Sequence, residues 1–113
     1  MQNVLPIGTV VLLKDAKKTL MIIGFCQIDL EKGGTIYDYS GIMYPEGYLG
    51  PQSVYMFNKD VIDKVLYGGF NNEESKEFLN KITEAQAKLK EGLSIEEVNK
   101  IFAGNNYEEV EEL

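Results

Sequence analysis

Few side chains in this sequence of 113 residues could take part in catalysis. The chain has one cysteine and no histidine, and all eleven of its basic residues are lysine. Histidine is the commonest general base and the usual proton switch near neutral pH. Arginine binds carboxylates and phosphates through two parallel hydrogen bonds. The sequence therefore lacks the groups on which many catalytic and phosphate-binding sites depend.

Cys26 is the only thiol, and it lies at the end of an apolar run, residues 20–26, with no lysine beside it in the sequence. A reactive thiolate requires an electropositive and accessible setting. Free cysteines are also among the most buried side chains. We therefore expect Cys26 to be an unreactive core residue.

Asp38 and Glu46 come nearest to a catalytic carboxylate pair, since two acids can act as acid and base when one pKa is raised. They lie eight positions apart, on a predicted strand and in a predicted turn, and no spacing rule brings them together. We expect Glu46 to be a solvated turn residue. Asp38 is expected to bond to a neighbouring turn or hydroxyl.

No pattern for a bound cofactor is present. The glycines fit neither the GxGxxG nor the GxxxxGK pattern, and no DxDxDG-type loop offers a calcium site. The sequence therefore predicts no catalytic, cofactor-binding or metal-binding residue, and we expect a protein that is not an enzyme. An enzyme that uses carboxylates alone is the remaining alternative.

Charge and hydropathy restrict the class of partner. The net charge is −7 and the sequence pI is about 4.6, which argues against nucleic acid, because polyanions are bound by lysine and arginine. The longest apolar run is far shorter than the ~20 residues of a membrane helix, and the N-terminus has no signal-peptide pattern. We expect a cytoplasmic protein without membrane insertion, and a single cysteine fits that reducing compartment.

The elements that would position these residues begin with a small sheet. Residues 7–14 and 19–28 are apolar runs joined by a short turn, and both faces of each run are apolar. This pattern is typical of strands covered on both sides, by a sheet core on one and by a helix on the other. Gly24 interrupts the second run and indicates a bulge or a close backbone approach.

The next segment alternates as a strand does, with Tyr37 and Tyr39 on the same face. Proline and glycine then mark a turn. The predicted elements are a third strand over residues 35–44, a loop over residues 45–52, a fourth strand over residues 53–57, and a short strand or helical turn that begins at residue 61 and ends at Gly68-Gly69.

A helix is predicted over about residues 72–91. Asn71 and Glu74 have the spacing of a capping box, and Gly92 is a stop signal. An apolar stripe on one side of this helix follows the helical period. Its members are Phe78, Ile82, Ala85 and Leu89.

The predicted fold is α+β. A small antiparallel sheet of four to five strands, SH3-like or a half-barrel, lies within residues 5–68 and is followed by a C-terminal helical hairpin. Residues 1–92 form a single domain, and residues 93–113 add a short helix and an acidic tail. A second capping box at Ser94 begins that short helix.

A cluster of tyrosines is the clearest candidate for a binding surface, since residues 37–57 hold five of the seven. Tyrosine is enriched at binding hot spots, but strands also favour aromatic residues for packing alone. The helical stripe has the same two interpretations, because it can cover its own sheet or meet another chain, and a homodimer is one form of the latter. We expect Tyr44 and Tyr48 to be the most exposed. The candidate partner-binding residues are Tyr37, Tyr39, Tyr44, Glu46, Tyr48, Phe78, Ile82 and Leu89.

Four segments follow one another in a recognisable order: LPIGTVVLLK, LMIIGF, YDYSGIMYPEGYLGP and YMFNKDVIDKVLYGGFNNEE. In this order and spacing, residues 4–90 resemble the domain of unknown function 4176 family of Gram-positive bacteria. No single segment is diagnostic of a chemistry, and the ordered set carries the resemblance.

The resemblance implies context rather than catalysis. Members of that family are small proteins encoded beside type VII secretion machinery and beside toxins with an LXG N-terminal domain. On this analogy the chain binds such a toxin, or another secretion component, as a chaperone or targeting factor in the cytoplasm. An immunity protein that neutralises a cognate toxin is the alternative, because an acidic surface suits an inhibitor of a basic nuclease.

Overall fold

The computed structural model describes residues 4–29 and 33–90 of the chain. Within these residues the chain forms a five-stranded antiparallel sheet followed by a long helix, so the predicted α+β class is confirmed. No helix in the two ranges is long and apolar enough to cross a lipid bilayer. The elements are β1 (Val10–Leu13), β2 (Thr19–Asp29), β3 (Thr35–Met43), β4 (Tyr55–Phe57), β5 (Ile62–Tyr67) and α1 (Glu73–Lys90).

The strands are neighbours in the order β4-β3-β2-β1-β5, and every pair is antiparallel. The first four strands form a meander, whereas β5 returns to the other side of β1. Two hydrogen bonds fix this return. The Lys14 N–H donates to Val61 O at 2.8 Å, and the Gly69 N–H donates to the Thr9 hydroxyl at 3.1 Å. β4 and β5 are therefore the two edges of the sheet.

β1 is shorter than the predicted strand over residues 7–14. The segment before it forms a turn, in which the Thr9 N–H donates to Pro6 O at 3.2 Å and Gly8 has a φ of 89°. A positive φ of this size suits glycine because glycine has no Cβ. The turn stays attached to β2, since the Gly8 N–H donates to Ile22 O at 2.9 Å.

β2 contains the irregularity that the sequence predicts at Gly24. Ile22 lies opposite Gly41 and Gly24 lies opposite Ser40, so Ile23 is an extra residue on β2. A Cβ added at Gly24 would lie 2.6 Å from the Ser40 Oγ. Of the two alternatives predicted at Gly24, the bulge is confirmed.

α1 packs its apolar stripe on one face of the sheet, which we call the helix face. Leu79 and Ile82 are almost fully buried, and the rings of Phe78 and Phe25 lie 6.2 Å apart. Of the two interpretations of the stripe, the structure therefore supports packing on its own sheet. The core cluster consists of Val4, Val11, Leu20, Ile22, Tyr39, Phe57, Leu79 and Ile82.

α1 has a capping box that differs from the predicted one. The Ser75 N–H donates to the Asn72 Oδ1 at 2.9 Å, and the Asn72 N–H donates to the Ser75 hydroxyl at 2.7 Å. The predicted pair of Asn71 and Glu74 is therefore wrong by one residue at each position. The predicted stop of this helix, the second helix of the hairpin and the acidic tail lie outside the described residues.

β4 starts later than the predicted strand over residues 53–57. A 3-10 turn at Pro51–Ser53 precedes it, and the Ser53 hydroxyl donates to Gly50 O at 2.6 Å. A second 3-10 turn, Lys59–Val61, leads into β5. The segment that the sequence assigns to either a strand or a helical turn is therefore a strand, and the 3-10 turn comes before it.

Candidate functional site

The face of the sheet opposite α1, which we call the outer face, carries an open groove. Side chains alternate along a strand, so Val10 points away from the core that its neighbour Val11 enters. Val10 is paired with Met21 on one side and with Tyr67 on the other. The groove has a volume of about 470 Å³. We call it the outer groove, and its lining residues are Gly8, Val10, Thr19, Met21, Tyr44, Leu66 and Tyr67.

Three large side chains of the outer groove expose more than half of their surface. Tyr67 is 67% exposed, Leu66 is 54% exposed and Tyr44 is 52% exposed. The sequence predicts that β1 and β2 are covered on both faces, but within the described residues the outer groove is not covered. A contiguous exposed apolar patch of this kind often marks an interaction site.

β5 forms one wall of the outer groove and is an edge strand. Within the part of the chain that the structure describes, its only strand partner is β1. Five of its six residues are exposed. An edge strand presents unpaired backbone N–H and C=O groups, and these can pair with an extended segment of another chain.

Tyr44 is held in position by two hydrogen bonds to Thr19, the first residue of β2. Its N–H donates to Thr19 O at 3.0 Å, and the Thr19 hydroxyl donates to Tyr44 O at 3.2 Å. The following peptide, Tyr44–Pro45, is cis. Beyond it, the Glu46 carboxylate lies 2.7 Å from the Lys18 Nζ. The hydrogen bond from Lys18 lowers the pKa of Glu46, which is an exposed turn residue as predicted.

Tyr48 and Leu49 extend the exposed apolar surface into the loop after this turn. Tyr48 is 60% exposed and Leu49 is 61% exposed. The Leu49 N–H donates to the Ser53 hydroxyl at 2.9 Å, which gives the loop a defined path. The expected exposure of Tyr44 and Tyr48 is therefore confirmed.

Two of the predicted partner-binding residues are buried instead. Tyr39 is 1% exposed because strand alternation places it on the helix face, and Ile82 is 2% exposed on the side of α1 that packs on the sheet. Both are core residues of this chain, so the prediction that they lie on a binding surface is wrong. Tyr37, Phe78 and Leu89 are half-buried on the helix side.

Asp38 is engaged in the local structure around the turn after β4. Its Oδ2 accepts a hydrogen bond from the Lys59 N–H at 2.9 Å, and its own N–H donates to the Asn58 Oδ1 at 3.0 Å. The expected bond to a neighbouring turn is confirmed. Asp38 and Glu46 thus have different partners and are not paired with each other, because Glu46 interacts with Lys18.

Cys26 packs half-buried against the core. Burial, and to a smaller extent the negative charge of Asp38, together raise the pKa of its thiol to about 11. The thiol is therefore protonated near neutral pH. In residues 4–29 and 33–90, no group of three or more histidine, cysteine, aspartate or glutamate side chains is arranged to hold a metal ion.

The sequence did not identify the β1, β2 and β5 residues that line the outer groove as residues of an open face. Val10, Met21, Leu66 and Tyr67 fit an apolar strand pattern equally well in a core and on an open face. The signal that could have found them was the number of apolar sheet faces compared with the number of helices able to cover them. One amphipathic helix covers one face of a sheet, so strands that are apolar on both faces need a second cover.

Comparison with known proteins gives one match. No curated protein and no solved structure matches the chain. A family model described as "Domain of unknown function (DUF4176)" matches residues 4–78. This range contains all five strands and the first turn of α1, and it stops short of residue 90, to which the resemblance extended. The chain therefore belongs to the DUF4176 family.

Proposed function

We propose that this chain is a non-catalytic protein-binding module that holds its partner on the outer groove. The observation that carries the proposal is the exposure of Tyr44, Leu66 and Tyr67 around one concave surface of about 470 Å³. Aromatic side chains that are exposed beside a groove are the residue types most often found as binding hot spots.

The partner segment that fits this surface best is an extended strand with apolar side chains. It would pair with the backbone of β5 and place alternate side chains on the outer face beside Leu66 and Tyr67. In this mode the main-chain hydrogen bonds provide affinity and the groove provides selectivity.

A related proposal concerns the sheet, which we assign to the SH3-like half-barrel class because β5 returns to β1 after a 3-10 turn.

The state of the titratable groups supports a role without catalysis. Burial keeps the Cys26 thiol in its protonated form near neutral pH. Asp38 and Glu46 are each bound to separate groups, the Lys59 N–H and the Lys18 ammonium. None of these arrangements provides a nucleophile with an adjacent base.

The family resemblance suggests which partner this is. We propose a cytoplasmic helper of a type VII secretion system, with an LXG toxin or another secretion component as its client. Net charge supports a basic client, because the chain carries −7 overall and complementary charge accelerates and orients association.

Co-purification with an LXG toxin encoded beside this chain tests whether the outer groove is the binding site. We expect Tyr44→Ala combined with Tyr67→Ala to weaken toxin capture by at least about tenfold, since two hot-spot side chains are lost. Tyr55→Ala is the matched control, because Tyr55 is 46% exposed but lies on the edge strand at the other side of the sheet. Equal capture by all three proteins would reject the outer groove as the binding site.

An immunity role is distinguished from a helper role by toxicity. Expression of the toxin with and without this chain separates the two, because an immunity protein restores growth and a helper changes toxin folding or export without protection. If the toxin neither co-purifies with the chain nor changes in stability or toxicity, both forms of the partner assignment are wrong.

A further inference from the structure

A second cavity lies on the helix side of the sheet, where β4 ends and the N-terminal half of β3 is paired with β2 alone among the described strands. Its volume is about 390 Å³, within the ~300–1,000 Å³ range of small-ligand sites. Asp38 lines this cavity and Tyr44 lines the outer groove. The two residues are six positions apart along extended chain, which corresponds to roughly 20 Å at ~3.3 Å per residue. The two sites are therefore separate.

The polar wall of this cavity is rich in hydrogen-bond acceptors. Asp38 is 6% exposed and Gln86 is 8% exposed, so both side chains are more than nine-tenths buried. Gln86 Nε2 donates to Asp38 O at 3.2 Å, and Asp38 Oδ2 accepts from the Lys59 N–H at 2.9 Å. Within the described residues, the Asp38 Oδ1 and the Gln86 Oε1 accept no hydrogen bond. Asp60 adds a second carboxylate to the lining.

Buried acceptors without a donor are costly, and a buried carboxylate is especially so. A ligand that donates several hydrogen bonds and carries positive charge would satisfy the acceptors of Asp38 and Gln86 together. Among the described lining residues, the only cation is Lys59, and its Nζ lies within 4 Å of no carboxylate in the described ranges. Two carboxylates against one ammonium give these lining residues a net negative charge.

The other wall is apolar. Ile36, Tyr37 and Leu89 line it, from the start of β3 and the last turn of α1. A hydrocarbon stem can pack on these side chains while its charged end reaches Asp38. The aromatic ring of Tyr37 also suits an organic cation.

We propose that this cavity binds an alkyl chain ending in an ammonium or guanidinium group, which is the chemistry of a lysine or arginine side chain. The charged end donates to Asp38 Oδ1 and Gln86 Oε1, and Asp60 contributes a second negative charge. The hydrocarbon stem lies against the apolar wall. The source is either a side chain of a protein partner or a free amine.

NMR titration of the full chain tests the proposal. Three probes are added in turn: lysine blocked as its acetyl amide, agmatine, and norleucine blocked in the same way. The side-chain amide signals of Asn58 and Gln86 report on the cavity directly. We expect saturable shifts of these signals with the two cationic probes, with dissociation constants on the order of 1 mM, and none with norleucine, which has an alkyl chain without a charge.

Substitutions assign the effect to the cavity. Asp38→Asn keeps an acceptor for the Lys59 N–H and removes the charge, so we expect binding at least about tenfold weaker. Asp60→Asn changes an exposed lining residue and should weaken binding by a smaller factor without affecting the fold. Asp63→Asn is the control, because it removes the same charge from exposed β5.

The outcomes separate the sources and the alternatives. Tighter binding of blocked lysine than of agmatine supports a protein side chain, and the reverse order supports a free amine. Absence of saturable shifts with either cation would overturn the proposal, and so would equal affinity in the Asp38→Asn and Asp63→Asn proteins. This test is independent of the toxin-capture test, because Tyr44 and Tyr67 line the outer groove and do not line this cavity.

Discussion

At the scale of single residues, the chemistry of Cys26 is set by its surroundings. Its backbone has a φ of 50°, in the left-handed region that few residues other than glycine adopt. Its side chain contacts the core, and burial followed by the charge of Asp38 raises the pKa of the thiol to about 11. Low nucleophilicity follows from its position rather than from the absence of histidine alone.

We expect the stability of the protein to fall between about pH 9 and about pH 11. The pKa of Cys26 in the folded protein is above the ordinary value of 9.0. The contribution of Cys26 to the free energy of unfolding is therefore fully present below pH 9.0 and is lost as pH rises through the folded pKa. Urea unfolding at several pH values measures the effect, and Cys26→Ser should remove this part of the pH dependence. The same decline in the serine variant would mean that other groups cause it.

The sequence predicted the individual roles of Cys26 and Asp38 but not the cavity that Asp38 helps to form. An unreactive thiol follows from an apolar run without nearby cations, and an aspartate beside a turn follows from local hydrogen bonding. The cavity combines β3, the turn after β4 and the last turn of α1. No periodic pattern connects Asp38 with Gln86, which is 48 positions away.

At the scale of elements, the bulge in β2 decides which side chains reach the core. Ile22 and Phe25 both contact the core although they are three positions apart, because Ile23 is the extra residue between them. Without the bulge, strict alternation would send Phe25 to the outer face. The bulge therefore brings the Phe25 ring to the helix face, where it lies 6.2 Å from the ring of Phe78.

We expect Gly24→Ala to destabilise the protein by about 1–3 kcal/mol, the usual cost of overpacking. The added Cβ would lie 2.6 Å from the Ser40 Oγ. The combination with Ser40→Ala should recover part of the loss, because the clashing oxygen is removed. Gly68→Ala is the control, since a Cβ there meets nothing within 4 Å. Equal unfolding midpoints in urea for Gly24→Ala and Gly68→Ala would contradict this prediction.

Sequence patterns predicted the existence of the elements better than their limits. The glycine signal at Gly24 identified the bulge because a missing side chain is visible in the sequence. The cap of α1 was assigned to Asn71 because Glu74 follows at the usual spacing, whereas the Ser75 hydroxyl makes the reciprocal pair with Asn72. Asn71 and Asn72 are both possible capping residues, and only the path of the backbone into the helix decides which of them is used.

At the scale of the whole molecule, most of the net charge lies outside the range that holds the described core cluster. All eight residues of the core cluster fall between Val4 and Ile82. Residues 91–113 contain seven acidic residues and one lysine, a net charge of −6, which is most of the −7 of the chain. Most of the net charge thus lies in sequence after the last residue of the described core cluster.

A chain that ends at Lys90 should keep its sheet and unfold cooperatively, because the core cluster remains complete. Its association with a basic partner should become slower and less sensitive to salt, since most of the net charge is removed. Circular dichroism with urea unfolding measures the first effect, and association rates at two ionic strengths measure the second. A chain that ends at Phe70 is the control and should not fold, because it lacks Leu79 and Ile82. Loss of cooperative unfolding after truncation at Lys90 would show that the core extends further.

The return of β5 to β1 has a consequence for biosynthesis. As the nascent polypeptide leaves the ribosome, β1 to β4 emerge first and can form their meander, while the far side of β1 must wait for β5. During this interval an apolar edge is available to other newly made chains, and such edges promote aggregation. Slow translation between residues 57 and 67 would prolong the exposure, so the folding yield in cells depends on how quickly this last strand is delivered.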